Sequence, residues 1–249
     1  MKLNKHDVTH TSYADTSFLK KVFSEVPATY ERVNHVLTLG LDRVWRWRAA
    51  RIAAASGGDQ WVDVCTGTGE TAVYLSRLAP ERTKVQAVDF SPAMMAEARK
   101  KREAARIEFV SADIHALPFL SGSVDLVTMS FAARNINVNR ESMAHGLSEL
   151  YRVLKPGGCF VNLETSQPPF GFVKNCFHLY IKLFVKQIGS RLSGSKAGYS
   201  YLSKTIPQFY TAETLSDILR QAGFGEVTFK RLMFGVAAIH QARKALSVC

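Results

Sequence analysis

Cysteine is scarce in this chain of 249 residues: Cys65, Cys159, Cys176 and Cys249, with no pair at Cys-x-x-Cys spacing. That spacing is what a zinc ribbon or a dithiol redox motif needs, so both are excluded, and no metal site is expected. Free thiols without a disulfide framework suit the cytosol. No run of 18 apolar residues occurs, so no segment is expected to span a membrane as a helix. Met1 to Lys20 has no apolar core of the kind a secretory signal requires. Repeats and low-complexity linkers are absent as well. Acids are the minority charge, 21 Asp and Glu against 32 Lys and Arg, a formal net charge of +11. A basic excess fits an anionic partner, either nucleic acid or an anionic membrane surface, and equally fits simple solubility. Against nucleic acid, no recognisable array of base-stacking aromatics accompanies the basic residues. At 47% apolar and 21% charged the chain is an ordinary globular one, long enough for one large domain.

What is present alternates. Strands are expected at 60–65, 84–89, 107–110, 124–130 and 159–165, and helices at 69–78, 91–104 and 141–154. Strands alternating with helical stretches imply a doubly wound, mostly parallel α/β sheet. Before it, helices are expected from residue 15 to Pro27, at 33–39 and at 43–55. After it come an inserted helix over 170–192, a helix at 212–222 and two strands, 226–233 and 235–243, paired as a hairpin.

The chemistry concentrates in Asp63-Val64-Cys65-Thr66-Gly67-Thr68-Gly69-Glu70, where a strand ends in a glycine loop that opens a helix. Asp89 closes the next strand. A loop of this kind with an acid about 20 residues on holds the adenosine part of a cofactor. The formal match to the dinucleotide pattern leaves NAD and S-adenosylmethionine in competition. Glu70 puts negative charge at the helix start, where a pyrophosphate needs the opposite. Asp63 can anchor the loop or meet a cationic ligand group, and Asp113, after the third strand, can accept a hydrogen bond from an adenine amino group. Singly, each acid reads as a turn or cap residue. The ordered set Asp63, Gly67, Gly69, Asp89 and Asp113 favours S-adenosylmethionine.

Further stretches carry a resemblance. They include Val26-Pro27-Ala28-Thr29-Tyr30-Glu31, Leu39-Gly40-Leu41-Asp42-Arg43-Val44-Trp45, Phe131-Ala132-Ala133-Arg134-Asn135-Ile136, Leu154-Lys155-Pro156-Gly157-Gly158 and Gly198-Tyr199-Ser200-Tyr201-Leu202. From about Val22 to Lys244 the chain resembles the class I C-methyltransferases of menaquinone and ubiquinone biosynthesis. The resemblance implies a single Rossmann-like domain over 1–249 with a seven-stranded sheet. Its parts are an N-terminal helical cap at 15–56, a cofactor core at 57–168, a helical lid at 169–210 and a C-terminal helix and hairpin at 211–244. It implies cofactor contacts at Thr68, Asp89, Asp113, Ile114 and Ser130, and a reaction site at Arg134 and Asn135 with Tyr30 reaching in. Tyr199, Tyr201 and His35 are its candidates for substrate contact. The chain departs from the family at several positions. His35 stands where an Asp commonly follows Asn34, and Asp42 stands where a His usually precedes Arg-x-x-Trp. Thr66 and Glu70 replace Gly and Asp in the glycine loop.

The implied reaction is S-adenosylmethionine-dependent carbon methylation of a prenylated hydroquinone, demethylmenaquinol or the equivalent ubiquinone precursor. Other lipids, small phenols or amines are alternative acceptors, and a nucleic-acid methyltransferase or a catalytically inert fold stand further off. Attack by a ring carbon needs that carbon about 3–3.5 Å from the methyl group and stabilisation of developing phenolate charge. Arg134, always protonated, suits the oxyanion; a water oriented by Asn135 and Tyr30 takes the proton. Lys174, His178, Lys182 and Lys186, four apart, share one face of the 170–192 helix beside an aromatic-rich apolar face. This helix is expected as a lid, with peripheral contact to an anionic membrane as a second role. The sequence is also compatible with a homodimer.

Overall fold

The computed structural model describes residues 26–246; the helix expected from residue 15 lies outside them. Seven strands form one sheet: β1 Gln60–Val64, β2 Lys84–Asp89, β3 Ile107–Ser111, β4 Val124–Ser130, β5 Leu154–Thr165, β6 Phe224–Leu232 and β7 Ala237–Lys244. Their order is β3-β2-β1-β4-β5-β7-β6. The first five run parallel, and β7 lies antiparallel between β5 and β6. The doubly wound sheet expected from the alternation is therefore present.

Both faces are buried, which is why the central strands read as near-continuous apolar runs. Successive residues divide between the faces: Val62, Val64, Val127 and Met129 pack into one core, Trp61, Leu126, Val161 and Leu163 into the other. The first core is covered by α6 (Arg140–Val153) and α10 (Ala212–Gln221), the second by α2 (Leu41–Ala54) and α3 (Glu70–Leu78). Helices α1 (Pro27–Leu37), α4 (Pro92–Ala98) and α5 (Ala133–Ile136) border the ends of the strands. The lid comprises α7 (Gly171–Tyr180), a π turn over Ile181–Val185, α8 (Lys186–Ser193) and α9 (Lys196–Thr205), packed around Val33, Ile181, Val185, Tyr199 and Ile206.

Several boundaries differ from expectation. The helix expected at 33–39 begins earlier, at Pro27, because proline at a first helical position forfeits no hydrogen bond. The helix expected over 91–104 ends at Ala98 and resumes as a 3-10 turn, Arg102–Arg106. Leu154-Lys155-Pro156-Gly157-Gly158 belongs to β5, where the register with β4 shifts. The single helix expected over 170–192 is interrupted by the π turn, and α9 was not anticipated.

The chain builds β1, β2 and β3 outward on one side and then returns to place β4 on the other side of β1. That reversal opens a crevice at the carboxyl ends of β1 and β4, where open α/β sheets bind ligands.

Candidate active site

The glycine loop enters that crevice. Cys65, Gly67 and Gly69 all adopt left-handed backbone, with φ of 50°, 56° and 79°. The chain thereby turns from β1 into α3 within five residues. Gly69 admits no side chain: an added Cβ would lie 2.9 Å from the Cβ of Ala98. Asp63 sits behind the loop, not on the groove wall. Its two oxygens accept the hydroxyls of Thr66 and Thr128, each at 2.6 Å, which ties the loop to β4. Burial pushes its carboxyl up to about 6, against those hydrogen bonds and the Arg46 charge. The anchoring half of the sequence reading is thus the geometry observed. Thr68, within the loop, is likewise buried and off the groove wall.

Gly67, Asp89, Asp113, Ile114 and Ser130 line one groove, as does His115. Asp89 accepts the Gly67 N–H at 2.7 Å and the Ser91 N–H at 2.9 Å, while burial raises its pKa. Asp113 shares a 2.7 Å hydrogen bond with the His115 ring, whose other nitrogen reaches Ser142. The Ser130 hydroxyl accepts that of Thr71 at 2.9 Å. Asn135 closes the groove with a buried Oδ1 that has no hydrogen-bond partner. An acid at the end of β2 suits ribose hydroxyls, and an orphaned carbonyl oxygen suits a cationic group. The groove therefore fits an adenosine cofactor bearing positive charge.

A second, larger cavity, open at its mouth, lies between α1, α2 and the lid. Tyr30 and Phe131 belong to the walls of both cavities and mark where they meet. Burial pushes the Tyr30 phenol up, with the Arg46 and Arg134 charges opposing, so it remains a neutral hydroxyl near pH 7. Arg134 and Asn135 follow each other on α5 but face different cavities, Arg134 the large one and Asn135 the cofactor groove. Arg134 donates from Nη1 to Thr165 Oγ1 at 3.0 Å and to Glu164 Oε1 at 3.3 Å, and its buried Nε has no partner. Glu164, 1% exposed, also accepts the Arg134 backbone N–H. Sequence reasoning passed over Glu164. Its signal was an acid following Phe160-Val161-Asn162-Leu163 in the strand, since a charge inside a buried strand requires a partner.

The remaining candidates are placed less directly. Neither Tyr199 nor Tyr201 forms the cavity wall. Tyr199 packs inside the lid, and Tyr201 lies within the influence of the Arg134–Glu164 pair. His35 stands off the wall too, with Nδ1 2.7 Å from Asp42 Oδ2; Asp42 itself lines the cavity. The two departures at 35 and 42 therefore meet in this structure. On the lid, His178 turns inward to Gln167 at 2.7 Å. The expected basic stripe is consequently broken, with Lys174, Lys182 and Lys186 remaining outside.

Sheet order, glycine loop and acid-lined groove together define a class I S-adenosylmethionine-dependent methyltransferase. The comparisons agree. A family model described as the ubiE/COQ5 methyltransferase family matches residues 10–244. The chain is 39% identical over 221 residues to a demethylmenaquinone methyltransferase of Thermus thermophilus, covering 88% of this chain and 98% of that protein. It is 34% identical over 222 residues to the ubiquinone/menaquinone biosynthesis C-methyltransferase of Desulfotalea psychrophila, covering 89% and 88%. Among solved structures, a SAM-dependent methyltransferase from Aquifex aeolicus superposes with a TM-score of 0.55 at 19% identity, over 92% of this chain and 98% of that one. The chain belongs to the ubiE/COQ5 methyltransferase family.

Proposed function

We propose that this methyltransferase methylates a ring carbon of a prenylated hydroquinone, demethylmenaquinol or the equivalent ubiquinone precursor. The observation that carries the reading is the split between consecutive residues. Asn135 closes the cofactor groove, while Arg134, whose buried Nε has no hydrogen-bond partner, lines an apolar cavity next door. Bound S-adenosylmethionine supplies an electrophilic methyl group on a sulfonium. Arg134 then holds the oxygen on which phenolate charge develops, and its own geometry is fixed by Glu164 and Thr165. Tyr30, at the junction, donates to the acceptor and orients it.

The cavity suits a lipid. Leu37, Trp45, Val173, Phe177, Ile181 and Ile206 give it an apolar lining. Leu39, Met233 and Phe234 line it and are also 87%, 53% and 71% exposed, so they form its mouth. A prenyl tail leaving there would meet a membrane surface. Phe170 and Phe172 are exposed on the adjoining lid beside Lys174 and Lys182, which supports peripheral contact with anionic lipid. No described helix is long and apolar enough to cross a membrane.

Arg134→Lys keeps the charge and loses the planar fork. Turnover of reduced demethylmenaquinone with labelled cofactor is expected to fall by about 10²–10³, with cofactor affinity within twofold of the parent. Turnover unchanged in that variant would remove Arg134 from the reaction.

A further inference from the structure

Carbon methylation releases a proton. A ring C–H becomes C–CH3, the bonding pair stays on sulfur, the sulfonium becomes a neutral thioether, and one proton per turnover must leave a largely apolar cavity. Among the described residues lining that cavity, the titratable groups are Tyr30, Asp42, Arg46, Arg134, Cys176 and Tyr180. The arginines are permanently charged cations, and the two phenols are pushed up by burial. Glu164 is a carboxylate close by, but it is 1% exposed, sealed against Arg134 and Thr165, and has no outlet.

Asp42 is different. It is 1% exposed and lies on the cavity wall beside Thr38, whose hydroxyl reaches Asp42 Oδ1 at 2.7 Å. Its other oxygen, Oδ2, lies 2.7 Å from Nδ1 of His35. The His35 side chain is 28% exposed, so the contact joins the cavity to solvent. The far nitrogen, Nε2, faces Glu70 Oε1 at 3.5 Å. We propose that the Asp42–His35 pair takes the proton released on methylation and delivers it to solvent.

This inference rests on the carbon-methylation reading. The substrate hydroxyl gives its proton to Asp42, directly or through Thr38. The pair holds it as aspartate and imidazolium, and Nε2 releases it to water. The ring proton, lost as aromaticity returns, restores the phenol oxygen, so one proton leaves per methyl transferred. Asp42 is the residue that meets substrate, and His35 acts through it. The charges facing His35 are Asp42 from α2, Glu70 from α3 and Glu31 from its own helix. Glu31, His35 and Glu70 lie close enough to share a cation, but Lys101 already pairs with Glu31 and Arg46 with Glu70. Both carboxylates are thus already paired with side-chain cations.

The test is the pH dependence of methyl transfer to reduced demethylmenaquinone by the full chain, with Asp42→Asn, His35→Gln and the exchanged double variant His35→Asp/Asp42→His. The account expects kcat to fall at least tenfold at pH 7 in each single variant, with KM and cofactor affinity little changed. The loss should shrink as pH rises and hydroxide replaces the lost acceptor. The exchanged variant should recover to within about threefold of the parent. Losses independent of pH, or below twofold, would overturn the proposal, because a merely structural contact has no reason to track proton concentration. If Asp42→Asn does not fold, His35→Gln and the exchanged variant decide alone. A parent enzyme that methylates no quinol overturns the underlying reading instead, and is recognisable because it fails before any variant is compared.

Discussion

At the residue scale, Asp63 shows how a motif position serves the fold behind the site. Its carboxyl is raised by burial to about 6, above the ordinary aspartate value near 3.9. An acid raised in the folded state stabilises most when protonated, and that contribution is lost as pH climbs from about 4 through 6. Asp63→Asn removes the step, so the variant's melting temperature relative to the parent is expected to rise between pH 4 and 6. A difference that stays constant across that range would contradict the assignment. The acids at 63, 89 and 113 were legible because strand ends in an open α/β sheet are where ligands bind. Spacing alone left open whether Asp63 anchors or contacts; the two threonine hydroxyls 2.6 Å away settle its contacts. Glu164 and the Asp42–His35 contact were not legible. Both depend on which distant side chains meet, through a thirty-residue separation in one case and a turn between two helices in the other.

At the scale of elements, the lid departs most from expectation. A four-residue repeat of basic positions assumes 3.6 residues per turn throughout, but the π turn over Ile181–Val185 changes the phase. His178, in α7 before that turn, faces inward to Gln167, and Lys174 and Lys182 face outward beside exposed Phe172, Leu183 and Phe184. Charge reversal at Lys174 and Lys182 together is expected to reduce flotation with anionic vesicles severalfold and to leave neutral vesicles unaffected. Equal flotation of parent and variant would remove the lid from membrane contact. Inside the lid, α8 and α9 approach through Gly189, where an added Cβ would lie 2.1 Å from the Tyr199 ring. Gly189→Ala is therefore expected to cost about 1–3 kcal/mol of packing, seen as faster proteolysis of the lid and a raised KM for quinol with cofactor affinity intact. Unchanged proteolysis would show that the ring has room to move. Helix α9 escaped the sequence reading because its apolar residues face other lid segments, not the main core, so its periodicity is short and weak.

At the scale of the whole molecule, two cavities share a wall of Tyr30 and Phe131. One carries two acids and is built by strand ends. The other is apolar and built by helices added before and after the sheet. Alternating patterns and turn residues specify the first almost completely, since the sheet and its loop are local in sequence. The second is assembled from α1, α2, the lid and the β6–β7 turn, segments up to about two hundred residues apart, so only its chemistry could be anticipated. The most direct test of the account is the product formed from reduced demethylmenaquinone and S-adenosylmethionine carrying a 13C-labelled methyl group. Carbon methylation predicts the label bonded to the quinone ring carbon, with one proton released per methyl transferred. Label bonded to oxygen, or no labelled quinone while the cofactor still binds, would contradict it.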